Sequence, residues 1–239
     1  MRDLFEIIHE DDELLVINKP AGLVCHPTKQ GEWSSLIGRV RLYLGTGSRP
    51  HLVNRLDRET SGVIVMAKNA EAAGALGKLW ETRAVTKVYL AIVHGHLKDA
   101  HGLIDAPLGK DTRSTVAIKD CVRPDGAPAQ TEFWVERCFV RPEGDFSLLR
   151  IVPRTGRKHQ IRIHLAHLGH AIVGDKLYGG DETLYLAFVK EQLTTEQRQR
   201  LLLPNHALHA SEVRLPWHGT ERLFQCEPEP WFREFAVQA

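Results

Sequence analysis

Apolar residues first gather in two short strand-like runs, Leu4 to Ile8 and Leu14 to Asn18, split by the acidic turn Glu10-Asp11-Asp12-Glu13, which predicts a β-hairpin. The prolines and glycine of Lys19-Pro20-Ala21-Gly22 and His26-Pro27 enforce loop geometry. A helix from about Ser35 to Leu44 follows the capping hydroxyls of Ser34 and Ser35, and Gly45 to Pro50 is an irregular link. The unbroken apolar run Val63-Ile64-Val65-Met66 predicts a buried strand over 63–67. Asn69 then stands where it can cap a helix through about Glu81, with Ala72, Ala75, Leu76 and Leu79 at helical spacing. Thr86 to Val93 is strand-like, and a two-residue period puts Lys87, Tyr89 and Ala91 on one face. Residues 94–130 are turn-rich with short strand candidates, while 131–139 and 146–152 read as paired strands around Arg141-Pro142-Glu143-Gly144. A helix from about Lys158 to Leu168 ended by Gly169, a helical stretch near 184–203, and strands over 208–227 with a turn at Pro216-Trp217 complete the chain. Strands and helices mix without regular alternation, the pattern of an α+β domain with a mostly antiparallel or mixed sheet.

The 239 residues suit one large domain or two tightly joined lobes, and 43% hydrophobic with 26% charged residues excludes a disordered tail or a membrane protein. No apolar run approaches the ~18 residues that span a bilayer. The start Met1-Arg2-Asp3-Leu4-Phe5-Glu6 lacks a basic segment leading into an apolar core, so the cytoplasm is the expected location. Cys25, Cys121, Cys138 and Cys226 are far apart and form no C-x-x-C pair, which argues for reduced thiols. A net charge of +1 is unpromising for a polyanion ligand, but its distribution changes the picture. Between Phe146 and Gly174 there is no Asp or Glu, while Arg150, Arg154, Arg157, Lys158, Arg162 and four histidines fall inside. A local cationic surface is expected there.

Two segments carry most of the chemistry. Asn54-Arg55-Leu56-Asp57-Arg58-Glu59-Thr60-Ser61-Gly62 sets a carboxylate just before the buried strand; such a group can act as a covalent nucleophile if a nearby cation keeps it ionised. Thr155-Gly156-Arg157-Lys158-His159-Gln160-Ile161-Arg162-Ile163-His164 continues toward Gly174-Asp175-Lys176-Leu177-Tyr178-Gly179. On a helix, His159, Arg162 and Ala166 share one face, so that Arg162 projects toward a cleft while Ile161, Leu165 and Leu168 pack. Taken singly, Arg55 with Asp57 is an ordinary surface pair, Tyr89 a strand packing residue, and Lys19-Pro20-Ala21-Gly22 a turn. His94-x-His96 and His164-x-x-His167-x-x-His170 have no acidic or cysteine partner at ligand spacing, so no metal site is expected; phosphate contacts or helix-end hydrogen bonds suit them better.

In this order and spacing, K-P-x-G, R-L-D-x-x-T-S-G, K-x-Y and T-G-R-x-H-Q-I-R-x-H with G-D-x-x-Y-G resemble the RluA-type family of RNA pseudouridine synthases from about Leu14 to Tyr178. The resemblance implies a pseudouridine synthase fold, a long central mixed or antiparallel sheet flanked by helices and loops. It implies isomerisation of uridine to pseudouridine in RNA, without metal or nucleotide cofactor. Asp57 would be the nucleophile, and Arg55 would help push the uridine from its stack. Tyr89 would stack on the flipped uracil and assist proton movement, and Arg162 would pair with Asp57. Arg162→Ala is accordingly expected to lower activity without unfolding the chain. Asn54 stands where the family usually has histidine; it donates a hydrogen bond but cannot be cationic. Asn54, Arg55, Arg154, Arg157, Lys158, His159 and Gln160 are the expected RNA contacts.

Residues 1–239 are read as a single catalytic domain with two lobes around a central cleft, acting as a monomer and lacking the small N-terminal RNA-binding domain of many relatives. The expected partner is ribosomal or transfer RNA, with the target uridine in a stem-loop, and no membrane. The rival readings are a non-catalytic RNA-binding or assembly factor, for which the carboxylate at Asp57 would be superfluous, and a cofactor-free hydrolase, against which the absence of a G-x-S-x-G elbow counts.

Overall fold

The computed structural model describes residues 5–27, 31–45 and 47–237. Its elements in order are β1 (Glu6–Glu10), β2 (Leu14–Lys19), a single 3-10 turn (Glu32–Ser34), α1 (Leu36–Leu44), β3 (His51–Leu52), β4 (Ser61–Ala67), α2 (Ala70–Glu81) and β5 (Thr86–His94). Then come β6 (His101–Asp105), β7 (Leu108–Lys110), β8 (Asp120–Val122), β9 (Gln130–Arg141), β10 (Gly144–Pro153) and α3 (Gln160–His167). The chain ends with α4 (Thr183–Val189), α5 (Thr195–Leu201), β11 (Leu208–Trp217), β12 (Thr220–Gln225) and α6 (Pro230–Ala236). Two compact units share these elements: Met1–Val88 with His209–Glu229, and Tyr89–Leu208 with Pro230–Ala239.

In the first unit β4 is the central strand, buried at all seven positions, which is why it reads as an unbroken apolar run. It pairs antiparallel with β2 from Leu14 opposite Ala67 to Lys19 opposite Gly62, antiparallel with β3, and parallel with β11 through Ser61 and Gly62. The sheet is therefore mixed. The expected hairpin is β1 and β2; its anticipated first residue, Leu4, lies outside the described residues. Gly62 has φ +114°, and a Cβ there would sit 2.2 Å from the Ala210 carbonyl oxygen, so the close β4–β11 approach admits only glycine. Asn69 caps α2 by accepting from Ala72 N, as its position predicts. That helix packs through Ala72, Ala73, Leu76 and Leu79 on Val63, Val65, Val213 and Leu215; Ala75, expected on this face, is exposed.

In the second unit β5, β10, β9 and β6 pair antiparallel in that order, with Ile151 opposite Tyr89 and Trp134 opposite Arg150. Packed on this sheet are Ile161 and Leu165 of α3 and Phe232 and Phe235 of α6, a helix the apolar pattern did not predict. A small β7–β8 hairpin joins Ile163, Leu177 and Tyr178 in a satellite cluster. Further boundaries differ from expectation. Leu168 is exposed instead of packed, and the helical stretch near 184–203 is two helices, the second opened by a capping box of Thr194 and Gln197. Pro216 and Trp217 lie within β11, and the turn falls on His218 and Gly219, both with positive φ.

Candidate active site

The segment from Asn54 to Thr60 is a loop suspended between β3 and β4 and tied down by neighbours in the same unit. Lys19 is fully buried, and its three ammonium hydrogens match three carbonyl oxygens: Pro20 and Leu23 at 2.9 Å and Arg58 at 3.2 Å. Gly22 N also donates to Arg58 O at 2.9 Å, and the buried Cys25 Sγ donates to Leu56 O at 3.3 Å. Both carbonyls that flank Asp57 are thus held, while Thr60 N closes a turn on Asp57 O at 3.2 Å. The Asp57 side chain is half-buried, and Arg55 is exposed beside it. Burial pushes the Lys19 ammonium down to about 8, against the pull of Cys25, Asp57 and Glu229. Just downstream, His209 Nε2 donates to Cys226 O at 3.0 Å, which leaves Nδ1 to accept from the Ser61 hydroxyl at 2.9 Å and locks the start of β4 to β11.

In the second unit Arg162 is 5% exposed and forms a bidentate pair with the buried Asp175, Nε to Oδ2 at 2.7 Å and Nη2 to Oδ1 at 2.9 Å. Leu177 N and Tyr178 N also donate to Asp175 Oδ1. Burial alone would raise the Asp175 carboxyl, but the charge and hydrogen bonds of Arg162 carry it well below the usual carboxylate range. The guanidinium lies 5.0 Å from the Tyr178 ring centre, and the Tyr178 hydroxyl, pushed up by burial, bonds His159 Nδ1 at 2.9 Å. Tyr89 is half-buried on β5 against the core of this unit.

The expected RNA contacts divide. Gln160 is 4% exposed and its amide is committed inward: Oε1 accepts from Thr155 Oγ1 and Arg157 N, and Nε2 donates to Gln130 O and Thr131 Oγ1. It is a frame for the 155–160 turn and not a surface contact. His159 precedes α3 with φ +55°, so Lys158 and His159 stand in the turn, and the helical face expected to join His159 with Arg162 does not exist. Arg154 pairs with Glu132 at 2.8 Å and Lys158 with Asp120 at 2.8 Å, while Arg157 is exposed and donates to Pro128 O. The stretch is free of acids in sequence but not in space, because β8 and β9 bring carboxylates to it. Asn54 Oδ1 accepts from Val65 N at 3.1 Å.

Of the histidines of the paired motifs, buried His164 donates from Nε2 to Ala106 O and accepts at Nδ1 from Thr131 Oγ1, and His170 donates to His94 O. Among the described residues no group of three or more His, Cys, Asp or Glu is arranged to hold a metal ion, and no helix is long and apolar enough to cross a membrane. Lys19, Cys25, Asp175 and Tyr178 belong to these networks although the sequence pattern does not single them out. Lys19, Asp175 and Tyr178 sit inside the quoted motifs, the one signal that could have marked them.

One unit thus holds a tethered loop carboxylate before its central strand, and the other a buried arginine anchored by an aspartate, on an α+β fold with a mixed sheet. Residues 13–167 match the family model for RNA pseudouridylate synthase, and the chain belongs to that family. It is 40% identical over 219 residues to an uncharacterized RNA pseudouridine synthase of Chlorobaculum parvum, covering 87% of this chain and 65% of that protein. It is 41% identical over 179 residues to the dual-specificity RNA pseudouridine synthase RluA of Vibrio vulnificus, covering 72% and 68%. A solved structure titled human RNA pseudouridylate synthase domain containing 1 superposes with TM-score 0.73 at 27% identity, covering 95% of this chain and 84% of that one. Across four curated relatives the chain spans 51% to 67% of their length.

Proposed function

We propose that this chain isomerises uridine to pseudouridine in structured RNA, with Asp57 as the nucleophile and with Tyr89, Arg162 and Arg55 in the roles that the family motifs give them. In this reaction the bond from uracil N1 to C1′ of the ribose breaks, the base turns, and C5 bonds to C1′. The proton lost from C5 is balanced by one gained at N1. Reaching that bond requires the base to leave its stack, which a cation inserted in its place assists.

The observation that carries the reading is the restraint on Asp57. Hydrogen bonds at Leu56 O and Arg58 O hold the backbone on both sides of one half-buried carboxylate, the preorganisation expected of a nucleophile and superfluous for a surface charge. Arg162, fixed through Nε and Nη2 by Asp175, is a rigid cation of the kind a catalytic carboxylate needs. The two compact units work as one catalytic domain, monomeric and cytoplasmic, and the substrate is a uridine in a stem-loop of ribosomal or transfer RNA.

The test is incubation with RNA from a host lacking the gene and mapping of new pseudouridines by carbodiimide-dependent reverse-transcription stops, with Asp57→Asn as control. New stops made by the wild type and absent from the control are the expected result. Stops that persist in the control would remove Asp57 from the role.

A further inference from the structure

We infer that Asn54 is a positioning residue that holds the Asp57 loop by replacing a strand acceptor, and is not an RNA contact; its activity arm rests on the reading above. β3 runs antiparallel to β4 with His51 opposite Ala67 and Leu52 opposite Met66. Continued, that register would place Val53 opposite Val65, but the strand ends at Leu52 and the backbone turns toward Leu56 and Asp57. On its other edge β4 is occupied by β2, with Val16 opposite Val65. Val65 is fully buried, so its N–H needs a protein acceptor once β3 has left. The Asn54 side-chain oxygen supplies it at 3.1 Å.

The loop is thereby anchored three residues before Asp57, complementing the bonds at Leu56 O and Arg58 O. With that bond in place, the main chain can leave the sheet without leaving a buried donor unpaired. What the position requires is a hydrogen-bond acceptor reaching Val65 N. A neutral histidine offers one through Nδ1, so asparagine can stand where the resembling motif has histidine, without any cationic contribution.

The experiment compares the full chain with Asn54→Ala and Asn54→His by amide hydrogen exchange over 53–66, RNA affinity, and kcat and KM for pseudouridine formation. In Asn54→Ala, exchange is expected to quicken at Val65 and through 53–60. Its kcat should fall about tenfold to a hundredfold while RNA affinity stays at the wild-type level. Asn54→His restores both exchange and kcat. Unchanged exchange in Asn54→Ala overturns the tether whether or not the protein is active, and lost RNA affinity with intact kcat makes Asn54 an RNA contact. Should Asn54→Ala fail to fold, a folded Asn54→His that lacks wild-type protection at Val65 overturns the inference. A wild type that forms no pseudouridine refutes the proposed function, and exchange alone then judges this inference.

Discussion

Replacing Asp175 by Asn removes the negative half of a pair buried in the second unit. Asp175 Oδ2 accepts from Arg162 Nε, and Oδ1 accepts from Arg162 Nη2, Leu177 N and Tyr178 N. An asparagine amide keeps an acceptor for the bonds at Oδ1 but turns a donor toward Arg162 Nε and leaves the guanidinium charge buried without its partner. Breaking one side of such a pair costs about 3–5 kcal/mol. Arg162→Ala should cost a similar amount by stranding Asp175, which reverses the expectation that this substitution spares the fold. Because Asp175 titrates lower in the folded chain than in the unfolded one, its contribution is fully present above the unfolded pKa of 3.8 and is lost as pH falls below it. At 1.36 kcal/mol per unit, the gap between wild type and Asp175→Asn narrows by about 1 kcal/mol from pH 5 to pH 3. Urea denaturation followed by far-ultraviolet circular dichroism at several pH values measures both quantities. A variant within about 1 kcal/mol of wild type at pH 7, with a gap that does not change with pH, would show that the buried pair does not stabilise the fold in this way.

Other outcomes follow from the same contacts. Lys19 loses its charge above about pH 8, so turnover should decline there, while relief of the buried charge lets the Lys19 contribution to stability rise from pH 8 toward 10.5. Paired rate and melting profiles that move in the same direction would contradict this, and Lys19→Met should lack the alkaline limb of the rate profile. Gly62→Ala drives a methyl group into the Ala210 carbonyl and should cost about 3 kcal/mol or more, read as loss of soluble protein or of the thermal transition. For RNA binding, Arg157→Ala should flatten the slope of log affinity against log salt by about 0.7 to 0.9, whereas Gln160→Ala should lower melting temperature and leave the slope alone. An unchanged slope for Arg157→Ala would move the footprint elsewhere.

Features written in local sequence were legible. The cap at Asn69, the buried run of β4 and the β9–β10 pair each depend on neighbours within a turn or a strand, and the structure has them where the periodicity puts them. What failed was long-range. A charge count over 146–174 cannot register that Glu132 and Asp120 come from other strands to neutralise Arg154 and Lys158. The helical pattern extended over His159 because its left-handed backbone is imposed by the turn that Gln160 braces, not by its own preference. Lys19 looked like a turn residue, since a lysine that donates its hydrogen bonds to carbonyl oxygens has no compositional mark. The motif placed Arg162 in the candidate site, but its bond to Asp175 had to be seen.

The proposed chemistry rests on Asp57, so the most direct test is pseudouridine mapping on RNA from a host lacking the gene, with wild type and Asp57→Asn side by side and RNA affinity measured for both. The expected result is one or a few new carbodiimide-dependent stops with wild type, none with Asp57→Asn, and RNA affinity retained by the variant. Conversion by Asp57→Asn would contradict the assignment of the nucleophile, and RNA binding by both proteins with no conversion by either would favour an RNA-binding factor built on this fold.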